Sequence, residues 1–305
     1  MTASVPIENR KSAIENLRVF AADIKLSHSI FAMPWALLSM FLAASVNPRG
    51  LPYVGQVLLI LLCMIAARTV AMSANRLLDA RLDALNPRTA RRAIPTGRLS
   101  ARFFAGALVV CCLLFVAGTA GFGFFYANWL PLMLSLPVLA WISAYPLFKR
   151  FTQLCHYYLG ACLALAPVCA WVAIAGKIEL TPFLMAAAVL CWTAGFDIIY
   201  ACQDFESDRQ TGVRSVPSRL GISPALWIAR LTHVCCVAML VVLGIHVPQF
   251  GAIYWLAVGV AVGLLLVEHS LVRANDLSKV NLAFFTMNGV ISVVIGVLGI
   301  LDIYL

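Results

Sequence analysis

The stretch Phe103-Phe-Ala-Gly-Ala-Leu-Val-Val-Cys-Cys-Leu-Leu-Phe-Val-Ala-Gly-Thr-Ala-Gly-Phe-Gly-Phe-Phe125 carries no charge. It is longer than the ~20 apolar residues a helix needs to cross a bilayer. Working outward from it, further runs of this kind centre on 29–45, 53–74, 128–147, 154–176, 181–203, 224–247, 251–272 and 281–301, nine in all. Backbone groups in hydrocarbon must bond within their own segment, so each run is expected to be a helix. The fold class that follows is an all-α integral membrane protein, a bundle of nine transmembrane helices. Composition agrees: 62% of the 305 residues are hydrophobic and 11% charged, with a mean hydropathy of +0.93. Soluble domains carry about 25% charged residues. A soluble enzyme, a collagen, a disordered chain and a disulfide scaffold are all excluded.

The 22 Lys and Arg outnumber the 13 Asp and Glu, a net charge of +9. In a membrane protein this excess points to lipid-facing loops, with no nucleic acid expected as partner. Nineteen of these cations lie in the N-terminal tail and in the segments after runs two, four, six and eight, against Arg49 and Lys177 on the other side. The positive-inside rule then places the N-terminus in the cytoplasm and the C-terminus outside, in the cytoplasmic (inner) membrane. Residues 1–28 are too charged for a cleavable signal; Ile14, Leu17, Phe20 and Ile24 recur at helical spacing. An interfacial helix is expected over 1–28, with 29–305 as one transmembrane domain. The ten cysteines sit in apolar runs without a CxxC pair and read as small hydrophobes.

Acidic residues are scarce, and they cluster. One group reads Asn75-Arg-Leu-Leu-Asp79-Ala-Arg-Leu-Asp83 and the other Asp197-Ile-Ile-Tyr200-Ala-Cys-Gln-Asp204-Phe-Glu-Ser-Asp208. Spacings of three and four put the members of each group on one helix face. Carboxylates this close repel unless a cation offsets them, and hard divalent ions such as Mg²⁺ favour oxygen ligands and substrate phosphates. Both acidic groups are therefore candidates to hold such an ion. The offsets 204 − 75, 208 − 79 and 197 − 68 are all 129, which suggests two like-oriented halves facing each other across a cavity. Arg68 and Asp197 lie within apolar runs, where an unpaired charge is expensive. They are candidate catalytic residues, with a structural ion pair between them as the plain alternative.

Basic residues flank both motifs: Arg88, Arg91, Arg92 and Arg98 after the second run, Lys149 and Arg150 after the fourth, and Arg209, Arg214 and Arg219 after the sixth. Cations interleaved with a metal site suit a diphosphate. Phosphate-loop and dinucleotide fingerprints are absent, so a diphosphate on a membrane-soluble group fits better than a nucleotide.

Asn75xxxAsp79xxxAsp83 followed by Asp197xxTyr200xxGln203-Asp204xxxAsp208 resembles the UbiA family of intramembrane aromatic prenyltransferases. Lys25-Leu-Ser-His28, Lys149-Arg150 with His156, and Gly212-Val-Arg214-Ser agree. The resemblance covers essentially the whole chain. It implies a nine-helix bundle with a cytoplasmic cap, Mg²⁺ as cofactor, held by Asn75, Asp79, Asp204 and Asp208 with Asp83 near, and a polyprenyl diphosphate and an aromatic acid as substrates. It also implies Asp197, Tyr200 and Arg68 in catalysis, and Lys25, His28, Arg68, Arg88, Lys149, Arg150 and Arg214 in substrate binding. Trp192, Phe196 and Phe205 are candidates to shield a carbocation. The acceptor stays open between 4-hydroxybenzoate, in quinone biosynthesis, and a futalosine-derived aromatic of menaquinone biosynthesis, because Ala67–Asp79 and Asn86–Thr89 are similar to a subgroup that includes the latter. A secondary transporter is the rival of a different class, since intramembrane charges and parallel repeats also occur there. His233, His246 and His269 have no partners at metal-ligand spacing and are given no role.

Overall fold

In the computed structural model, which describes residues 13–25, 29 and 31–305, the apolar runs are helices. After α1 (Ala13–Asp23) come α2 (Met33–Ser45), α3 (Val54–Leu85), α4 (Ala101–Tyr126), α5 (Leu130–Phe148), α6 (Cys155–Ala175) and α7 (Leu180–Ala201). A 3₁₀ turn, Cys202–Asp204, leads to the short α8 (Phe205–Thr211) and α9 (Val216–Leu220), then α10 (Ile222–His246) and α11 (Ala252–Leu271). Last, α12 (Val280–Leu282) widens into a π-helical turn, Ala283–Met287, before α13 (Asn288–Tyr304).

Eight helical segments among the described residues are long and apolar enough to cross a membrane. The run at 29–45 differs from the expectation of a ninth full span. Its helix has 13 residues, and at 1.5 Å per residue that is about 20 Å, short of a hydrocarbon core of about 30 Å. Two prolines explain the length. Pro34 opens α2 at a position where its missing N–H costs nothing, and Pro48 follows its end.

Two features position the functional groups. The run expected over 53–74 continues unbroken to Leu85, so the first acidic motif rides on the same rigid helix as the span beneath it. The seventh helix instead breaks at Cys202, and the second motif is divided between its end, the 3₁₀ turn and α8. Helix α7 lies between α6 and α10, and α3 packs on α4 and α5. Close approach of α6 to α7 depends on Gly160: a Cβ there would meet the Leu190 carbonyl oxygen at 2.5 Å. All ten cysteines are free thiols.

Candidate active site

At one end of the bundle the two acidic motifs face each other across a pocket of about 210 Å³. Asn75, Asp79 and Asp83 line it from α3, Asp197 and Tyr200 from α7, and Asp204 and Asp208 from the segment beyond the break. Since both motifs reach this pocket from the ends of their helices, α3 and α7 run in the same sense, as the repeated offset predicts.

Each carboxylate lining the pocket is held by a neighbour. Lys149 Nζ lies 2.5 Å from Asp79 Oδ2, which also accepts from Asn75 Nδ2 at 2.7 Å. Arg92 Nη1 donates to both oxygens of Asp83, at 2.7 and 2.8 Å. Arg88 grips Asp204 with two bonds, Nε to Oδ1 at 2.8 Å and Nη2 to Oδ2 at 2.6 Å, while its Nη1 reaches the Tyr200 hydroxyl at 3.1 Å. Asn86 adds a third donor to Asp204, and the Ser215 hydroxyl donates to Asp208. Paired guanidinium–carboxylate bonds of this kind are the strong, directional ones.

Arg68 and Asp197 do not pair with each other. Arg68 Nη2 donates to the Lys25 carbonyl at 3.0 Å, and Asp197 takes His156 Nδ1 at 2.7 Å. The Val216 N–H points at His156 Nε2, 3.2 Å away, which makes that nitrogen the acceptor and puts the ring hydrogen on Nδ1, toward Asp197. Of the other sequence candidates, Arg150 donates to the Leu78 carbonyl at 2.5 Å and stands 3.8 Å from Asp79. The Arg214 guanidinium bonds the Phe151 carbonyl instead of entering the pocket. His28 lies outside the described residues.

Positive charge converges on this end of the molecule. Burial, followed by the charges of Arg88, Arg92, Arg76 and Arg68, pulls the Lys25 ammonium down from 10.5 to about 8. Such a surplus of cations is where an anion would be most welcome. Arg76, almost fully buried, donates from Nε to Asp23 at 2.8 Å and from Nη1 to Asn75 Oδ1 at 2.6 Å. Through Asp23, which also accepts from the Ala93 N–H, the end of α1 is clamped over the first motif.

Beneath the polar pocket lies a second cavity, of about 200 Å³ and lined almost wholly by apolar side chains of α3 to α6. Tyr145 and Leu159 line both. The apolar cavity follows α6 from Leu159 to Ala173, about 21 Å of helix. Arg68 stands among its lining residues with its Nε unpartnered.

The donor set fits a hard divalent cation: carboxylate and amide oxygens, with Asp79 Oδ1 buried and without a hydrogen-bond partner. Among the described residues, no three His, Cys, Asp or Glu side chains are gathered as a ready cluster. A metal held here would compete with Lys149, Arg88 and Arg92 for the same oxygens. Reading by sequence did not single out Arg92, Asn86, Ser215, His156 or Asp23 as site residues. The first four fall in or beside the quoted motifs and loops; Asp23 carries no such signal.

Comparison with known proteins matches residues 32–290 to the UbiA prenyltransferase family. A 4-hydroxybenzoate octaprenyltransferase of Nitrosomonas europaea is 28% identical over 269 residues, 87% of each chain. One from Chromohalobacter salexigens is 27% identical over 265 residues, 85% of this chain and 83% of the relative. Among solved structures, the apo form of a UbiA homolog from Aeropyrum pernix K1 superposes with a TM-score of 0.80 at 28% identity, over 91% of this chain and 98% of that one. A UbiA homolog from Archaeoglobus fulgidus, bound to DMAPP and Mg²⁺, shares the fold with a TM-score of 0.71 at 19% identity, over 93% and 98%.

Proposed function

Because the chain belongs to the UbiA prenyltransferase family and is a prenyltransferase rather than a transporter, we propose that it transfers a polyprenyl group from polyprenyl diphosphate to the ring of an aromatic acid, 4-hydroxybenzoate, in quinone biosynthesis. One observation carries the reading: the polar pocket of paired carboxylates and cations adjoins the apolar cavity, Tyr145 and Leu159 lining both. A substrate with a diphosphate head and a long hydrocarbon tail matches that pair of environments.

Asn75, Asp79, Asp83, Asp204 and Asp208 would hold Mg²⁺, which when bound neutralises the diphosphate as it leaves. Lys149, Arg88 and Arg92 exchange their carboxylate partners for diphosphate oxygens, with Lys25, Arg150 and Arg68 adding charge nearby. The allylic C–O bond breaks, and diphosphate departs with the electron pair. A ring carbon of the acceptor then attacks the allylic cation, and the ring loses a proton. Asp197, aimed by His156, and the Tyr200 hydroxyl orient the acceptor and stabilise the cation. Transition-state charge of this kind is best met by groups already in place. The Lys and Arg asymmetry supports a cytoplasmic side for this end of the bundle, with the N-terminus there and the C-terminus outside.

The reading is tested with membranes holding the full chain, Mg²⁺, a long-chain polyprenyl diphosphate and labelled 4-hydroxybenzoate. The expected result is a prenylated product that EDTA abolishes and added Mg²⁺ restores. No product from 4-hydroxybenzoate, with Mg²⁺-dependent prenylation of a futalosine-type aromatic, would move the acceptor to menaquinone synthesis. No prenylation of either would contradict the reading.

A further inference from the structure

Away from the pocket, a second set of polar side chains is buried in the bundle. Asn288 and Glu268 are both fully buried. Asn288 makes three bonds from one amide. Its Nδ2 donates to Glu268 Oε1 at 2.8 Å and to the Ala283 carbonyl at 3.3 Å, and its Oδ1 accepts from the Trp192 indole N–H at 2.7 Å. Ala283 is the first residue of the π-helical turn, and Asn288 follows its last. A π turn widens the helix by one residue and disturbs its carbonyl ladder; here an amide side chain takes the carbonyl at the start of the turn. Trp192 is fixed at its other end as well, since its carbonyl lies 3.2 Å from His233 Nε2, and His233 Nδ1 pairs with His269 Nε2 at 2.9 Å. Two of the three histidines that sequence spacing leaves without partners, His233 and His269, thus belong to this network.

The widened turn carries two phenylalanines, each packed on a residue of the proposed site. Phe284 lies against the Tyr200 ring, centroids 4.1 Å apart, and Phe285 lies under the Lys25 ammonium at 5.0 Å. Tyr200 in turn meets Arg88, and the Lys25 carbonyl receives Arg68. From this latch of Asn288, Glu268 and Trp192, an aromatic chain runs from Trp192 through Phe196 to Phe284, with ring spacings of 5.0 and 5.2 Å.

We propose that Asn288, braced by Glu268, is a positioning residue for the transfer reaction: it holds the π turn so that Phe284 backs Tyr200 and Phe285 backs Lys25. Neither Asn288 nor Glu268 lines the pocket, so both act through those rings. The inference rests on the proposed assignment of Lys25 and of Arg88, which Tyr200 holds through its hydroxyl, to prenyl diphosphate binding.

The test uses full-length protein in detergent and two readouts, amide hydrogen exchange across 283–288 and Mg²⁺-dependent binding of geranyl diphosphate. Asn288→Leu is expected to speed exchange in that segment relative to the rest of α13 and to weaken binding about tenfold, the loss of roughly one hydrogen bond's worth of placement. Glu268→Gln keeps an accepting oxygen and should behave as wild type, whereas Glu268→Leu should follow Asn288→Leu. Phe284→Leu leaves the latch intact and should weaken binding without changing exchange at Ala283, which keeps the inference testable if Asn288→Leu does not fold. Unchanged binding in folded Asn288→Leu and Phe284→Leu would overturn the inference. Wild-type protein that binds no geranyl diphosphate would instead overturn the proposed function, while exchange would still report on the latch.

Discussion

The two acidic motifs have similar spacing and opposite mechanics. The first lies on an unbroken helix, with Asp79 and Asp83 buried and α1 clamped over it through Arg76 and Asp23. The second lies where α7 breaks into a 3₁₀ turn, and its Asp204 is held by Arg88, a side chain one-third exposed. One half of the site is therefore a fixed wall. The other half is built from a turn and a short helix whose ion pair can exchange with solvent. A site that must admit an amphiphile, release diphosphate and reset needs both, a rigid reference and a part that yields.

The largest expected effect tests the rigid half. Arg76→Met leaves Asp23 buried and unpaired, which should lower stability by about 3–5 kcal/mol. Arg88→Met breaks a partly exposed pair and should cost no more than about 1 kcal/mol. Thermal or denaturant unfolding of the two variants checks the contrast, and equal losses would break it. Next, Asp79→Ala and Asp204→Ala should each lower prenyl transfer by about 10²–10³-fold, the scale of losing one preorganised electrostatic contact. The double variant should be little worse than either single one, because the motifs act as a unit. Rates of the three variants, measured side by side, decide whether both halves serve one site.

A smaller effect falls on Asp197. His156→Phe removes its hydrogen-bond donor and should reduce kcat about tenfold, one hydrogen bond at 1.4 kcal/mol per decade. The KM for the prenyl diphosphate should be nearly unchanged. The smallest is a pH effect at Lys25. Its pKa of about 8 lies below the ordinary 10.5, so keeping it protonated opposes folding below about pH 8. That cost fades as pH rises. Binding runs the other way: an anion needs the protonated form, so the KM for prenyl diphosphate should rise as pH climbs through 8. Lys25→Arg should flatten that rise.

Much of this architecture is legible in the sequence because it is periodic or local. The apolar runs give most of the helices to within a few residues, α3 running on past its apolar run to Leu85, and the spacing of Asn75, Asp79 and Asp83 by itself places them on one helix face. Even the convergence of the motifs follows from a repeated offset. What stays hidden is long-range pairing. Asp197 finds His156 across 41 residues, Asp23 finds Arg76 across 53, and Trp192 finds Asn288 across 96. No period connects such residues; only helix packing brings them together. The short α2 was obscured differently, since hydropathy alone does not register where prolines begin and end a helix.

The most direct measurement is Mg²⁺-dependent binding of geranyl diphosphate to purified wild-type, Asp79→Asn and Asp204→Asn protein. If the two motifs form a single diphosphate site, wild-type protein binds with Mg²⁺ and releases with EDTA, and each variant loses binding. Either variant binding as tightly as wild type would contradict that account, because one motif alone would then suffice.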